Sequence, residues 1–177
     1  MRPETVTQKD QEFMTAALEM AEAALANGDF PVGCVIADDS AVLVRSCRTG
    51  TAAGPPNEID HAEINTLKEL YVHAPLVDRT RLTLYCTMEP CLMCYGAILL
   101  SGIGRVVYAY EDVMGGGSAC DRAGLPPLYR DARLTVISGV LRGESLILFQ
   151  RFFTRTGNRY WADSLLSRYT LDQMAVP

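Results

Sequence analysis

Two short stretches of the chain carry side chains that could do chemistry together. One holds His61 and, two residues later, Glu63, and the other reads Pro90-Cys91-Leu92-Met93-Cys94. An imidazole and two thiolates are good ligands for Zn²⁺, and three protein ligands leave a fourth coordination position open for water. Residues three apart lie on one face of a helix, so Cys91 and Cys94 can both reach one ion. The pattern predicts one zinc ion per chain on His61, Cys91 and Cys94.

Glu63 is the candidate proton carrier. It follows His61 by two residues, so it points elsewhere on the first helical turn and can stay off the metal. A carboxylate there can take a proton from the attacking water and pass it to a ring nitrogen and then to a leaving amine. Both stretches begin predicted helices, whose N-termini favour negative charge such as a thiolate. The residues therefore predict a hydrolytic reaction that removes an amine.

Two other interpretations of the same residues stay open at this point. A structural zinc site would need a fourth protein ligand. The candidates for it are Cys86, Cys120, His73 and Glu63. Alternatively, Cys91 could be a nucleophile paired with a histidine, although a second thiol three residues later favours a metal. His73, the only other histidine of the chain, is expected to be an exposed polar residue.

The composition is that of an ordinary globular protein. The chain has 177 residues, of which 49% are hydrophobic and 21% charged, and it can fold without disulfides. We expect one domain over residues 1–177, with residues from about 155 to 177 as a helical extension. Cys34 and Cys86 lie in apolar runs and are expected to be small buried hydrophobes. With no export signal and no apolar run that could span a bilayer, the cytoplasm is the expected compartment.

The charge of the chain is acidic and unevenly spread. The net charge is −5, and residues 1–60 hold four Lys and Arg against ten Asp and Glu. A general nucleic-acid binder usually shows a basic footprint, so this balance argues against a large polyanionic substrate. A local basic track remains conceivable on Arg151, Arg155, Arg159 and Arg168. Such a set is more typical of a solvated helix face.

Hydrophobic periodicity and turn residues define the elements that must position these side chains. Helices are predicted over Gln8–Ala26, His61–Tyr71, Cys91–Ser101, Glu144–Thr154 and Trp161–Tyr169. Strands are predicted over Val32–Ala37, Val42–Ser46, Leu82–Cys86, Arg105–Tyr110 and Leu134–Ile137. Residues 49–60 and 112–130 are expected to be irregular. The alternation of strands and helices indicates an α/β sandwich with a partly parallel sheet.

Over roughly residues 10–155 the chain resembles the cytidine/deoxycytidylate deaminase superfamily. The matching stretches are FPVG at 30–33, DHAEI at 60–64 and LYCTMEPCLMCYGAILLSGIGR at 84–105. The last is most similar to the branch that contains tRNA adenosine deaminases, guanine deaminases and fungal cytosine deaminase. H-x-E followed by P-C-x-x-C is the signature of zinc nucleobase deaminases.

The resemblance implies a three-layer α/β/α sandwich with a five-stranded mixed sheet, and a homodimer or larger assembly. It implies a zinc-dependent hydrolase that converts the exocyclic amine of a nucleobase, nucleoside or nucleotide to a carbonyl and releases ammonia. It also implies that the backbone N–H of Ala62 contacts the substrate and that Phe30 lines the base pocket.

The chain departs from that branch at two places. The branch carries a substrate-contacting asparagine eleven residues before the motif histidine, where this chain has Gly50. Asn57 could take its place or could simply be a turn residue. The tail containing Trp161 and Asp163 is similar to the aromatic-plus-acid tail that closes the pocket in fungal cytosine deaminase. Tyr160 and Trp161 could equally pack a terminal helix on the core.

The acidic balance and the possible lid favour a small-molecule substrate: a free base, nucleoside or nucleotide. The alternative is a tRNA-specific adenosine deaminase that converts A to I at the wobble position. A third interpretation, of another class, is a catalytically silent, zinc-stabilised binding module. Glu63 argues against that module, because such a domain has no use for a carboxylate at this position.

Overall fold

The structure is a computed structural model that describes residues 5–52 and 54–173. Its helices are α1 (Gln8–Ala26), α2 (Ala62–His73), α3 (Leu92–Ser101), α4 (Pro127–Arg130), α5 (Arg142–Phe153) and α6 (Leu165–Asp172). Its strands are β1 (Gly33–Ala37), β2 (Val42–Cys47), β3 (Thr83–Met88), β4 (Arg105–Tyr110) and β5 (Thr135–Ile137). All the predicted helices and strands are present, and only the last helix is displaced by more than two residues.

Within the described ranges, the five strands form one mixed sheet in the order β2-β1-β3-β4-β5. β1 runs antiparallel to both β2 and β3, whereas β4 is parallel to β3 and to β5. Because parallel strands end at the same edge of a sheet, the residues that follow β3 and β4 meet at one edge. The segment leading to Cys91 and the segment beginning at Glu111 therefore lie close together.

Alternate side chains of each central strand point to opposite faces of the sheet, and helices cover both faces. One core cluster joins Val35, Tyr85 and Val107 to Met14 and Ala17 of α1. The other joins Ile36, Leu84 and Val106 to Leu67 of α2 and Ile98 of α3. The predicted α/β/α layering is confirmed.

α1 lies unusually close to β1 at Gly33. A Cβ atom at this position would lie 2.1 Å from the carbonyl oxygen of Ala17 and 2.4 Å from the amide nitrogen of Ala21. These contacts are with backbone atoms that cannot rotate away. Any larger residue at position 33 would therefore push α1 off the sheet.

Asp10 ties the N-terminus of α1 to the sheet. Its carboxylate accepts hydrogen bonds from the Thr7 amide at 2.8 Å, the Tyr85 hydroxyl at 3.0 Å and Arg105 Nη1 at 2.6 Å. Thr7 completes a capping box, because its hydroxyl accepts from the Asp10 amide. One side chain that is 1% exposed thus connects α1, β3 and β4.

The prediction of a helix over Trp161–Tyr169 is wrong at its start. α6 begins at Leu165, where the Ser164 hydroxyl caps it by accepting a hydrogen bond from the Ser167 amide at 3.0 Å. Trp161 has a φ of 51°, which is left-handed and ends any right-handed helix at that residue. Residues 174–177 of the predicted extension lie outside the described residues.

Residues 112–130 are mostly irregular, as predicted, but they include the short helix α4. None of the helices described is both long enough and apolar enough to cross a membrane.

Candidate active site

The three predicted metal ligands sit at the N-termini of two helices. His61 and Cys91 each occupy the cap position, immediately before α2 and α3, with extended backbones of φ −66° and −65°. Cys94 lies on the first turn of α3. His61 Nδ1 is 3.6 Å from Cys91 Sγ and 3.5 Å from Cys94 Sγ. Pro90 therefore precedes the cap residue and lies just outside α3.

The distances between these donor atoms fit zinc. Tetrahedral coordination with Zn–S of about 2.3 Å and Zn–N of about 2.0 Å places a nitrogen and a sulfur roughly 3.5 Å apart. The three donor atoms all lie within 4.8 Å of one another, and in the described part of the chain no fourth His, Cys, Asp or Glu joins them. Three protein ligands with an open position are typical of a catalytic zinc site and not of a structural one.

The two thiols are poised to give up protons to a metal. A hydrogen bond from Cys94 lowers the pKa of Cys91 to about 4, against the opposing effect of burial and with help from His61. The pKa of Cys94 is raised, because its thiol donates to Cys91 and is buried. The pair therefore carries one thiolate beside the N-terminus of α3, and a bound cation would displace the remaining proton.

Glu63 lies on the first turn of α2 and is only 2% exposed. Its Oε2 atom has no hydrogen-bond partner among the residues that the structure describes. Burial raises the pKa of this carboxyl, and the neighbouring His61 opposes the rise. A buried carboxyl with a free oxygen and a raised pKa can hold and release a proton at ordinary pH.

A cavity of about 80 Å³ opens beside these groups, and we call it the catalytic cavity. His61, Glu63 and Cys91 form its reactive wall, and Ala62 lines it between them. Ala62 is the first residue of α2, so its N–H has no acceptor within the helix. The apolar wall comes from Phe30, Val32, Met88, Tyr160 and Trp161. Phe30, Ala62 and Trp161 therefore all line the catalytic cavity, and their contacts with substrate stay predictions.

Phe30 is fixed by the loop that follows β2. The Asp29 carboxylate accepts hydrogen bonds from the Thr51 and Ala52 amides at 2.7 and 2.9 Å, and the Phe30 amide donates to the Thr51 hydroxyl at 2.7 Å. The Phe30 ring lies within 6.0 Å, between ring centroids, of five other aromatic rings: Phe149, Phe152, Phe153, Tyr160 and Trp161. The base-pocket wall is thus held by an aromatic cluster that joins α5 to the C-terminal tail.

Asn57 and Asp163 do not line the catalytic cavity. The Asn57 side chain serves its own loop: its Nδ2 donates to Asp60 Oδ2 at 2.6 Å and its Oδ1 accepts from the Ile59 amide at 2.9 Å. Asp163 is exposed, and its carbonyl oxygen accepts from Arg168. A substrate-binding role for either residue stays a prediction.

The sequence reasoning missed three charged residues of the cavity: Glu89, which directly follows β3, and also Arg48 and Asp112. Arg48 follows the end of β2, and Asp112 comes shortly after β4. Asp112 Oδ1 accepts hydrogen bonds from the amides of Met114 and Gly115 at 3.0 and 2.9 Å, and burial raises its pKa. All three residues carry a charge just after a predicted strand, and that was the signal available in the sequence.

The loop after β4 is held against α3 by Glu89. Its carboxylate accepts hydrogen bonds from the amides of Asp112 and Ser118, each at 3.2 Å. A Cβ atom at Gly117 would lie 2.9 Å from the backbone of Leu92. This close approach keeps the loop beside the N-terminus of α3 and so keeps Asp112 at the cavity.

Other predictions about single residues are confirmed. His73 is exposed and pairs with Glu69 at 2.9 Å, and Cys34 and Cys86 are fully buried.

The four C-terminal arginines do not form one track. Arg151 pairs with Glu22 and Arg168 with a backbone carbonyl, while Arg155 and Arg159 line a separate open pocket.

Residues 7–110 match the family model described as "Cytidine and deoxycytidylate deaminase zinc-binding region". The chain belongs to this family. The match includes His61, Glu63, Cys91 and Cys94, and it confirms the family resemblance and zinc as the cofactor. The family and this donor set together make the protein a zinc-dependent hydrolytic deaminase, a hydrolase of C–N bonds, and they argue against the silent binding module.

Named relatives agree with this assignment. The chain is 31% identical over 147 residues to a tRNA-specific adenosine deaminase of Streptococcus pyogenes, which covers 83% of this chain and 91% of that protein. A solved structure from work on A-to-I editing by tRNA:A34 deaminases has a TM-score of 0.67 at 28% identity, covering 77% of this chain and 98% of that one. A guanine deaminase from Nitrosomonas europaea has the same fold, with a TM-score of 0.65 at 20% identity over 85% of this chain and 87% of that chain.

The geometry assigns a task to each catalytic group. His61, Cys91 and Cys94 would hold the zinc ion, which would supply a water molecule acidic enough to act as a nucleophile near neutral pH. Glu63 lines the same cavity, so its free Oε2 can accept a proton from the attacking water and return it to a ring nitrogen. The same carboxylate can then take the second proton, from the hydroxyl that becomes the carbonyl, and pass it to the amine as it leaves as ammonia. The apolar wall around Phe30 keeps bulk water away from these transfers.

Proposed function

We propose that this deaminase acts on a small free heterocycle of nucleobase type. The observation that carries the proposal is the position of the C-terminal tail, which forms part of the wall of the catalytic cavity. A macromolecular substrate must insert a nucleotide that remains joined to its chain, whereas a free base can be enclosed completely. The small volume of the catalytic cavity, about 80 Å³, favours a free base over a nucleotide that is joined to a chain.

The tail has the features of an aromatic lid. Tyr160 and Trp161 stack with their ring planes 10° apart and centroids 5.1 Å apart, and both contact Phe30. The Tyr160 hydroxyl donates to Glu58 Oε2 at 2.9 Å, which fastens the tail to the loop after β2. Trp161 holds a left-handed backbone that is uncommon for a bulky residue. Such strain is typical of a segment held for function.

We extend this proposal to the organisation of the chain. Residues 1–177 form a single deaminase domain, in which residues from about 155 onward are an extension that serves as the lid. The aromatic cluster around Phe30 supports this, because it ties the tail to α5 and to the cavity wall.

We also propose a homodimer in the cytoplasm. Leu92 and Leu100 of α3 and Leu128 of α4 are 63%, 59% and 62% exposed, and Met93 is exposed beside them. Apolar surface of this kind marks protein–protein contacts when it is contiguous. The six cysteines are free thiols, as expected in a reducing compartment.

A second candidate function is deamination of a wobble adenosine in tRNA. The similarity to the Streptococcus pyogenes enzyme favours it. So does an open pocket of about 470 Å³, which we call the outer pocket. Arg155 and Arg159 line this pocket, and it shares Tyr160 and Trp161 with the catalytic cavity. Two arginines beside the entrance could contact a phosphate backbone.

The decisive experiment is an ammonia-release screen of the zinc-loaded protein. The substrates are cytosine, guanine and adenine, their nucleosides and nucleotides, and a tRNA anticodon stem-loop. We expect a free base to be the best substrate. Turnover confined to the stem-loop would overturn the proposal and support the second candidate.

A variant of the lid sharpens this test. Trp161→Ala should raise KM for the free base about tenfold, because a stacked aromatic contributes about 1–3 kcal/mol per base. Tyr71→Ala, which removes an exposed aromatic of α2, is the matched control and should leave KM unchanged. An unchanged KM in Trp161→Ala would show that the tail only packs against the core.

A further inference from the structure

Arg48 is a buried cation with an unused donor. Its side chain is 2% exposed, and Nη1 is among the buried polar atoms that lack a hydrogen-bond partner in the described part of the chain. Glu63 Oε2 is another such atom, and both residues line the catalytic cavity. A buried donor left without an acceptor destabilises the folded protein, so Nη1 is in place for a partner that arrives from outside.

The remainder of the guanidinium group is firmly held. Nη2 donates to the carbonyl oxygen of Asn57 at 2.7 Å and to Glu58 Oε2 at 2.9 Å, and it lies 3.4 Å from the Tyr160 hydroxyl. The guanidinium is planar, so fixing Nη2 also fixes Nη1. Glu58 supplies the counter-charge, and Tyr160 links the same network to the lid. Arg48 is thus a rigid, oriented donor at the cavity and not a surface cation.

We infer that Arg48 Nη1 donates a hydrogen bond to a carbonyl oxygen of the substrate and thereby selects amino-oxo heterocycles. This inference rests on the proposed function, because it specifies which free heterocycle the cavity accepts. Arginine is the usual partner of the carbonyl oxygen of guanine in protein–nucleic acid recognition. Adenine has no carbonyl oxygen, and its ring nitrogens are the only acceptors that it could offer.

Arg48 also explains how the site functions without the asparagine that the family resemblance led us to expect. Gly50 has no side chain, and Asn57 directs its amide to Asp60. Arg48 lies at the start of the same loop and enters the cavity from that side. Charged donors bind acceptors about twice as strongly as neutral amides do, which shifts the preference further toward a carbonyl oxygen.

The test compares pairs of substrates in which one member has the carbonyl group, with the ring N–H that accompanies it, and the other member lacks both. Cytosine is compared with 4-aminopyrimidine, and guanine with 2-aminopurine, by kcat/KM for ammonia release from the zinc-loaded protein. We expect the wild type to prefer the oxo member of its active pair by about a hundredfold or more, because a site built to donate a hydrogen bond rejects the analogue that lacks the acceptor.

Arg48→Met should reduce this preference to within about tenfold, by slowing the oxo substrate while leaving its analogue nearly unchanged. Arg48→Lys keeps the charge but can serve Glu58 or the substrate, not both, so it should also lose much of the preference. It provides the test if Arg48→Met does not fold. Arg45→Met, three residues earlier on β2 and exposed, is the matched control and should keep the full preference. A preference retained in both Arg48 variants overturns the inference.

Failure of the proposed function gives a different result. In that case the wild type releases ammonia from neither pair, and the inference is decided by calorimetric binding of cytosine and 4-aminopyrimidine to the zinc-loaded protein. Tighter binding of cytosine that is lost in Arg48→Lys supports the role of Arg48. Equal affinities in the wild type, or an equal preference in the variant, overturn it.

Discussion

At the scale of single residues, the site separates holding the metal from moving the proton. His61, Cys91 and Cys94 converge because two of them occupy helix cap positions and the third lies one turn into α3. Glu63 is buried beside them with Oε2 free. The Glu63 carboxyl is not needed to complete the donor set. Substitutions at different residues should therefore abolish metal binding and catalysis separately.

Glu63→Gln should retain zinc and lose activity. The amide has the same shape but cannot carry the proton, so kcat/KM should fall about a thousandfold, within the range typical of general acid–base catalysis. Zinc content by elemental analysis and ammonia release measure the two properties.

Cys94→Ser should lose the zinc itself, because a serine hydroxyl is a poor replacement for a thiolate.

Glu69→Gln and Cys120→Ser are the controls for this experiment, since both residues are exposed and neither belongs to the donor set. They should keep about one zinc per chain, as expected of a three-ligand catalytic site, together with full activity. If Glu63→Gln keeps its activity within about tenfold of the wild type, Glu63 does not carry the proton.

At the scale of elements, the site depends on helices that begin at the right points beside one edge of the sheet. α2 and α3 present their N-termini to the metal site, and the macrodipole of each helix stabilises the thiolates there. α1 contributes from the opposite face: Asp10 joins its first turn to Tyr85 and Arg105 at β3 and β4. The Asp10 side chain thus connects three elements, α1, β3 and β4.

Asp10→Asn should destabilise the fold at neutral pH by about 3 kcal/mol, because it removes a buried negative charge that accepts hydrogen bonds from Arg105, Tyr85 and Thr7. Burial alone would raise the pKa of Asp10, but hydrogen bonds from Arg105, Thr7 and Tyr85 together lower it. With a folded pKa below the unfolded value of about 3.9, the stabilisation is fully present above that value and is lost as the pH falls through the folded pKa.

The gap between wild type and Asp10→Asn should therefore narrow as urea-unfolding free energies are measured from pH 7 toward about pH 3. Asp39→Asn changes an exposed aspartate and should shift the free energy by no more than about 0.5 kcal/mol at any pH. A gap that stays constant with pH would show that the charge of Asp10 does not contribute.

At the scale of the whole molecule, the reaction centre and the features that choose the substrate come from different parts of the chain. Residues 61–94 supply the ligands and the proton carrier. The loop after β2 and the C-terminal tail supply neighbours of Phe30, the anchors of Arg48 and the segment that we propose as a lid. The exposed apolar surface on α3 and α4 lies outside this arrangement and is available for assembly.

Leu100→Glu should convert the dimer to a monomer, because it places a charge in the apolar surface that we propose as the interface. Sedimentation should give twice the chain mass for the wild type and the chain mass for the variant. Val72→Glu, at an exposed position of α2, is the control and should remain dimeric. A monomeric wild type would refute the dimer.

Much of the fold was predictable because local patterns are consistent with it. α1 and β4 have the predicted bounds, since periodicity and turn residues mark both ends. The start of α6 was not predictable, because it depends on the left-handed backbone of Trp161. The ring of this residue packs against Phe30 in the aromatic cluster, which is a tertiary contact. The burial of Arg48 depends on Glu58 and Tyr160, and Tyr160 is 112 residues away along the chain.

The sequence by itself determined the metal, the proton carrier and the reaction type. Each depends on two local motifs, His61 with Glu63 and Cys91 with Cys94, but His61 is 30 residues from Cys91 and reaches it only in the folded chain. The tertiary structure decided the wall of the catalytic cavity, where Arg48, Asp112 and Trp161 meet from segments far apart in the chain. Spacing along a sequence specifies local geometry, whereas contacts between distant segments exist only after the chain has folded around its core.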